Sequence, residues 1–114
     1  MFDFERLDVY KKSKSFNQQI QQLLKQANVD NTTKHQLRRA SLSIVLNIAE
    51  GSGRNSKPDK RHFLIISRGS VFECVAVLDL MKDANLITEI LFKDFYSKAE
   101  ELSKMLYAMM RSLE

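Results

Sequence analysis

The run Arg39-Ala40-Ser41-Leu42-Ser43-Ile44-Val45-Leu46-Asn47-Ile48-Ala49-Glu50-Gly51-Ser52-Gly53-Arg54 decides the fold. Projected on a helix, Leu37, Ala40, Ile44 and Ile48 make one apolar face, and Leu42, Val45, Leu46 and Ala49 make a second about 120° away. Between them runs a polar line, Ser43, Asn47 and Glu50, spaced i, i+4, i+7. A single neighbouring layer cannot cover both faces. The helix, over about 34–50, must therefore be buried on more than one side, which predicts that the chain packs against copies of itself. Gly51 supplies the glycine expected just past a helix C-terminus.

Working outward, the turn Gly51-Ser52-Gly53-Arg54-Asn55-Ser56-Lys57 leads to Pro58, which suits a first helical turn, and Ser56 with Asp59 can cap it. A helix over about 58–83 is again apolar nearly all round, from Phe63-Leu64-Ile65-Ile66 to Leu78, Leu80 and Met81. Gly69 lies inside it at a cost of about 1 kcal/mol relative to alanine, a cost tolerated where another backbone approaches closely. Two outer helices flank this pair. The first, about 7–27, has one stripe of Val9, Phe16, Ile20, Leu23 and Ala27, with Leu24 at its edge. The break Asp30-Asn31-Thr32-Thr33 follows, and Thr33 with Gln36 predicts a capping box for the second helix. Asn85 ends the third helix and Thr88 caps the fourth, about 88–112, striped by Phe92, Phe95, Ala99, Leu102, Leu106, Met109 and Leu113. Four helices with short connections predict an all-α, antiparallel up-down four-helix bundle, one domain spanning 1–114.

The composition agrees with this and narrows the function. One proline and three glycines in 114 residues leave helix interiors nearly free of breakers. No apolar run approaches the 18 or so residues that cross a bilayer, and Met1-Phe2-Asp3-Phe4-Glu5 lacks the basic start of a secretion signal. A lone Cys74 excludes an internal disulfide and a cysteine metal cluster. A cytoplasmic protein with no membrane partner is expected. The net charge of +4 is unevenly placed. From Lys34 to Arg68, eight basic residues stand against two acidic ones, a local +6, while the remainder has ten basic and twelve acidic, or −2. Charge concentrated round one turn predicts a polyanionic partner.

These residues resemble a small bacterial four-helix-bundle family first noticed as proteins encoded in intervening sequences of 23S ribosomal RNA genes. The resemblance is carried by Arg39-Ala40-Ser41-Leu42-Ser43-Ile44, Asn47-Ile48-Ala49-Glu50-Gly51, Gly53-Arg54, Phe63-Leu64, and Gly69-Ser70 with Glu73. Phe4, Leu7, Val9 and Tyr10 fit the family's opening. The resemblance implies an all-α subunit assembling into a ring-like homopentamer. A similar accessory protein of diversity-generating retroelements works beside a reverse transcriptase and binds nucleic acid through a basic surface.

Candidate sites follow from residue types. Glu50 with Glu73, next to Ser43, Asn47 and Ser70, has the composition of a carboxylate acid–base pair, since burial and a second carboxylate both raise a carboxyl pKa. No nucleophile or metal-ligand set accompanies it, so the line reads as a hydrogen-bonded seam setting the register of the second and third helices. The Gly51-x-Gly53 turn follows a helix rather than a strand, and its lysine precedes Pro58, so neither phosphate-loop pattern is met. His35 and His62 have no partner at ligand spacing. No catalytic residue, metal or cofactor is expected. The basic set Arg54, Lys57, Lys60, Arg61 and Arg68, with Arg38 and Arg39, is the candidate nucleic-acid surface, each residue a phosphate contact and none a base reader. Few aromatics lie among these residues in sequence, so base stacking is not expected. The reading is a non-catalytic homo-oligomer that binds RNA or DNA. The alternative is a protein-interaction scaffold docking a partner such as a reverse transcriptase, and a nuclease built on Glu50 and Glu73 ranks last.

Overall fold

A computed structural model describes all 114 residues. A single turn of 3-10 helix, Asp3–Arg6, precedes four α-helices: α1 (Asp8–Gln26), α2 (Asn31–Ser52), α3 (Lys57–Asp83) and α4 (Glu89–Ser112). There are no strands. Each helix packs on its chain neighbours and α1 also packs on α4, so the four close into an up-down bundle 44 Å long and 24 by 21 Å across.

The helix ends show why the chain turns where it does. The α2 start differs from the expected Thr33–Gln36 box: Asp30 is the cap, its carboxylate accepting from the Thr33 N–H at 3.0 Å, which begins the helix at Asn31. Ser56 caps α3 by accepting from the Asp59 N–H (3.2 Å), with Pro58 in the first turn, and Thr88 caps α4. At the α3 C-terminus, Asn85 takes φ 60°. Its N–H donates to the Lys82 carbonyl and that of Leu86 to Met81, a Schellman ending with asparagine in the usual glycine place.

The core comes from the predicted stripes. Ile20, Leu24, Leu37, Ile44, Leu78 and Leu106 are fully buried at its centre, and the Phe16 ring meets Phe95 edge-on at 5.9 Å, joining α1 to α4. On α1 it is Leu24 rather than Leu23 that completes the stripe.

The second apolar face is only partly covered within one subunit, where Val45 is buried and Ala49 half-buried. Leu42 and Leu46 on α2, and Ile65, Ile66, Phe72 and Leu80 on α3, are all exposed, Leu46 at 55% and Phe72 at 57%. The glycines exchange their expected roles. Gly51 lies inside α2, buried, where a β-carbon would sit 3.0 Å from the Phe63 Cβ and 3.3 Å from the Lys60 carbonyl oxygen. Gly69, expected at a close approach, has nothing within 4 Å of such a carbon and faces open space. The tight contact between α2 and α3 is therefore at the turn, not at mid-helix.

Candidate nucleic-acid interface

Because α2 and α3 run antiparallel from one turn, residues equidistant from it lie level. Ser67 Oγ donates to the Ile44 carbonyl and Ser70 Oγ to Ser43 Oγ, both at 2.8 Å, fixing that register. Asn47 Nδ2 donates within α2 to the Ser43 carbonyl and hydroxyl oxygens, at 2.9 and 3.0 Å. The polar contact between the helices thus consists of Ser43 and Ser70, backed within α2 by Asn47 and extended by the buried Ser67, which the polar line in the sequence did not include.

The two glutamates take no part in it. Glu50 pairs with Arg54 one turn on, half exposed, and Glu73 is exposed. The antiparallel register explains their separation. Glu50 lies level with Phe63 and Glu73 with Ala40, ten residues further along α3, or about 15 Å at 1.5 Å per residue. The carboxylates cannot share a proton or a metal across that gap, and the geometry removes the basis for pairing them. His35 and His62 are similarly distant, the His62 ring resting beside Phe63 at 5.3 Å. No group of three or more His, Cys, Asp or Glu is placed to hold a metal ion. Cys74 is fully buried, and desolvation, helped by the charge of Glu73, pushes its thiol up to about 12.

The basic residues divide into three groups. Arg54, Lys57, Lys60 and Arg61 surround the α2–α3 turn. Arg54 is held by Glu50 and lies over the Phe63 ring at 4.6 Å. Lys60 Nζ donates to the Ser52 carbonyl at 3.1 Å. Arg61 turns onto the end of α4, where its Nη2 is 3.8 Å from Glu114, and its buried Nε has no partner. Lys57 is exposed and pairs with no carboxylate. Arg68, two turns beyond Arg61 on α3, donates through Nε to the Ser103 carbonyl (3.2 Å) and lies against the Phe72 and Tyr107 rings, at 4.9 and 5.2 Å. Arg38 and Arg39 are about 20 Å from the turn, fourteen and thirteen residues before Ser52. Arg38 donates to Gln21 at 3.1 Å and Arg39 is exposed. Within one subunit the seven do not make one patch.

The fold adds residues to the turn that the charge pattern missed. Helix α1 begins at the end where α2 stops, so the chain start lies beside the turn. Leu7 shares a cavity of about 210 Å³ with Ile48, Gly51, Ser52 and Lys60. With the chain start come Arg6, Lys11 and Lys14 and the rings of Phe2, Phe4 and Tyr10. The up-down topology was the signal for this, because it sends the first helix's N-terminus to the second helix's end.

The fold and this end of it define a small all-α bundle with a cation-bearing tip and an uncovered apolar flank. The sequence model of the 23S rRNA-intervening sequence proteins matches residues 5–108, and the chain belongs to that family. It is similar to a crystal structure from Bacteroides thetaiotaomicron, a protein of unknown function from the S23 ribosomal protein family. The TM-score is 0.86 at 25% identity, covering 90% of this chain and 97% of that one. No protein of curated function matches the chain. No helix is long and apolar enough to cross a membrane.

Proposed function

We propose that this protein is a non-catalytic, cytoplasmic homo-oligomer, a ring of five subunits, that holds RNA or DNA by phosphate contacts from its basic surface. The observation that carries the reading is the gathering of Arg54, Lys57, Lys60 and Arg61 round one turn, which repetition in a ring multiplies into a broad cationic surface. The assignment of the solved relative to the S23 ribosomal protein family suits a nucleic-acid partner.

Binding of this kind releases counterions, so affinity falls linearly with the logarithm of salt concentration. Anisotropy titrations with labelled RNA and DNA across a salt series test it. Lys57→Glu with Arg39→Glu should weaken binding at least tenfold and flatten the salt slope by about one for each lost contact. Absence of binding at low salt would reject the reading. The scaffold alternative is favoured by one feature, an apolar groove of about 260 Å³ between α3 and α4 walled by Val71, Phe72, Val75, Tyr96 and Ala99. That reading expects the wild-type protein to bind no nucleic acid in the same titration.

A further inference from the structure

The nucleic-acid reading leaves three aromatic rings at the chain start unused. Phe2 and Phe4 stack with centroids 5.9 Å apart and planes 18° from parallel. Phe4 in turn leans on Tyr10 at 4.7 Å. Phe2 is 73% exposed, yet its backbone is held twice: its N–H donates to Glu5 Oε2 at 2.7 Å, and its carbonyl accepts from the Glu5 N–H at 3.1 Å to close the 3-10 turn. The result is a held, flat apolar surface facing solvent.

These rings line an open cleft together with Lys11, Lys14 and Gln18. Neither lysine is paired with a carboxylate. Glu5 is the only acid in the cleft, and its carboxylate is engaged by the Phe2 N–H. The charge rim selects the occupant. An apolar helix would cover the rings but give the two ammonium groups nothing to pair with. A single-stranded nucleic acid offers both chemistries at every step, a flat base to stack and a phosphate to pair. A duplex offers only the phosphates, its bases being already stacked on each other.

Resting on the nucleic-acid reading and deepening it, we infer that the cleft of Phe2, Phe4, Tyr10, Lys11 and Lys14 binds single-stranded RNA or DNA. A base stacks on Phe2 and the lysines hold the adjoining phosphates. Stacking tolerates any base, so the site discriminates single strand from duplex rather than one sequence from another.

The chain contains no tryptophan, so Phe2→Trp provides a sole reporter at the stacking position. Its emission and the anisotropy of a label are followed with strands of about 12 nucleotides, within the span such proteins cover. The strands are oligo(U), oligo(dT), an abasic DNA of equal length and a duplex. Both single strands should quench the tryptophan, while the abasic strand and the duplex bind more weakly and leave its emission unchanged. Phe2→Ala with Phe4→Ala should cost about tenfold in single-strand affinity with an unaltered salt slope, and Phe2→Ala alone, at the exposed ring, should lose affinity with an unaltered melting curve. Lys11→Gln with Lys14→Gln should instead flatten that slope. Equal affinity for abasic and base-bearing strands without quenching overturns the stacking site and leaves the phosphate reading standing. Absence of binding by the wild-type protein to every strand overturns both.

Discussion

At Gly51 the missing side chain is what lets α2 lie against the first turn of α3. Alanine there would gain about 1 kcal/mol of helix propensity, but its β-carbon would press on the Phe63 Cβ and the Lys60 carbonyl. Neither atom is the free end of a flexible side chain, and overpacking of this kind costs about 1–3 kcal/mol. Gly51→Ala should therefore lower the urea midpoint. Gly69→Ala meets open space and should raise subunit stability by up to about 1 kcal/mol in the same unfolding experiment. Cys74 makes a second prediction at this scale, in alkali. Its folded thiol is pushed up to about 12 while the unfolded thiol ionises near 9, so between those values the native state holds the extra proton. Stability then falls as pH rises above 9, by at most about 1.4 kcal/mol per unit, and this contribution is constant below pH 9. Urea melts from pH 8 to 10.5 should show a shallower decline for Cys74→Ala than for wild type, whatever the two differ by at pH 8.

At the scale of the helices, the cap of α2 gives an acid-side counterpart. The Thr33 N–H, then its hydroxyl, hold the Asp30 carboxyl below its ordinary value near 3.8. A depressed value contributes stability above the unfolded pKa and loses it as pH falls through the folded one. Asp30→Ala should lower the melting temperature at pH 7, with the gap to wild type narrowing below pH 4, while Asp30→Asn keeps the cap at both. This residue also shows where the sequence could be read and where it could not. The existence of α2 follows from its apolar spacing, but Asp30, Asn31, Thr32 and Thr33 are all capping residues, so local chemistry does not choose among them. The two apolar faces were legible for the same reason as the helix, and the α3 ending at Asn85 likewise. The partners of the cations were not. Arg54 with Glu50 is a one-turn pair visible in the spacing, whereas Arg61 with Glu114 depends on where the last turn of α4 lands. Glu50 shares a helical spacing with Ser43 and Glu73 with Ser70, yet the antiparallel register sets the two carboxylates about 15 Å apart, which counting from the turn reveals. The chain start escaped because its aromatics are remote in sequence from the basic segment, and only closure of the bundle brings them together.

At the scale of the whole molecule, the exposed flank decides between a lone subunit and an assembly. Leu42 and Leu46 follow one another by a turn on α2, and Ile65 and Phe72 by two turns on α3, all four exposed. Exposed apolar side chains in this number on two helices mark an interaction surface, and the cost of exposing them falls when a second copy covers them. The expected mass in solution at micromolar concentration is accordingly a multiple of 13.2 kDa, fivefold for the proposed ring. Leu46 and Phe72 are each more than half exposed, so Leu46→Glu with Phe72→Glu removes apolar contact from the flank while leaving the core untouched. This variant should keep its helical circular dichroism and sediment as a single subunit. Its affinity for a long RNA should then fall by a factor of 10 or more although every cation remains, because linked sites bind with an avidity that separate ones lack. A short strand that reaches only one subunit should lose little. If the long RNA also binds the dispersed subunits as tightly as the assembly, then one subunit's cations suffice and repetition contributes nothing. If the wild-type protein itself sediments at 13.2 kDa, the flank is not a self-association surface and the ring is rejected.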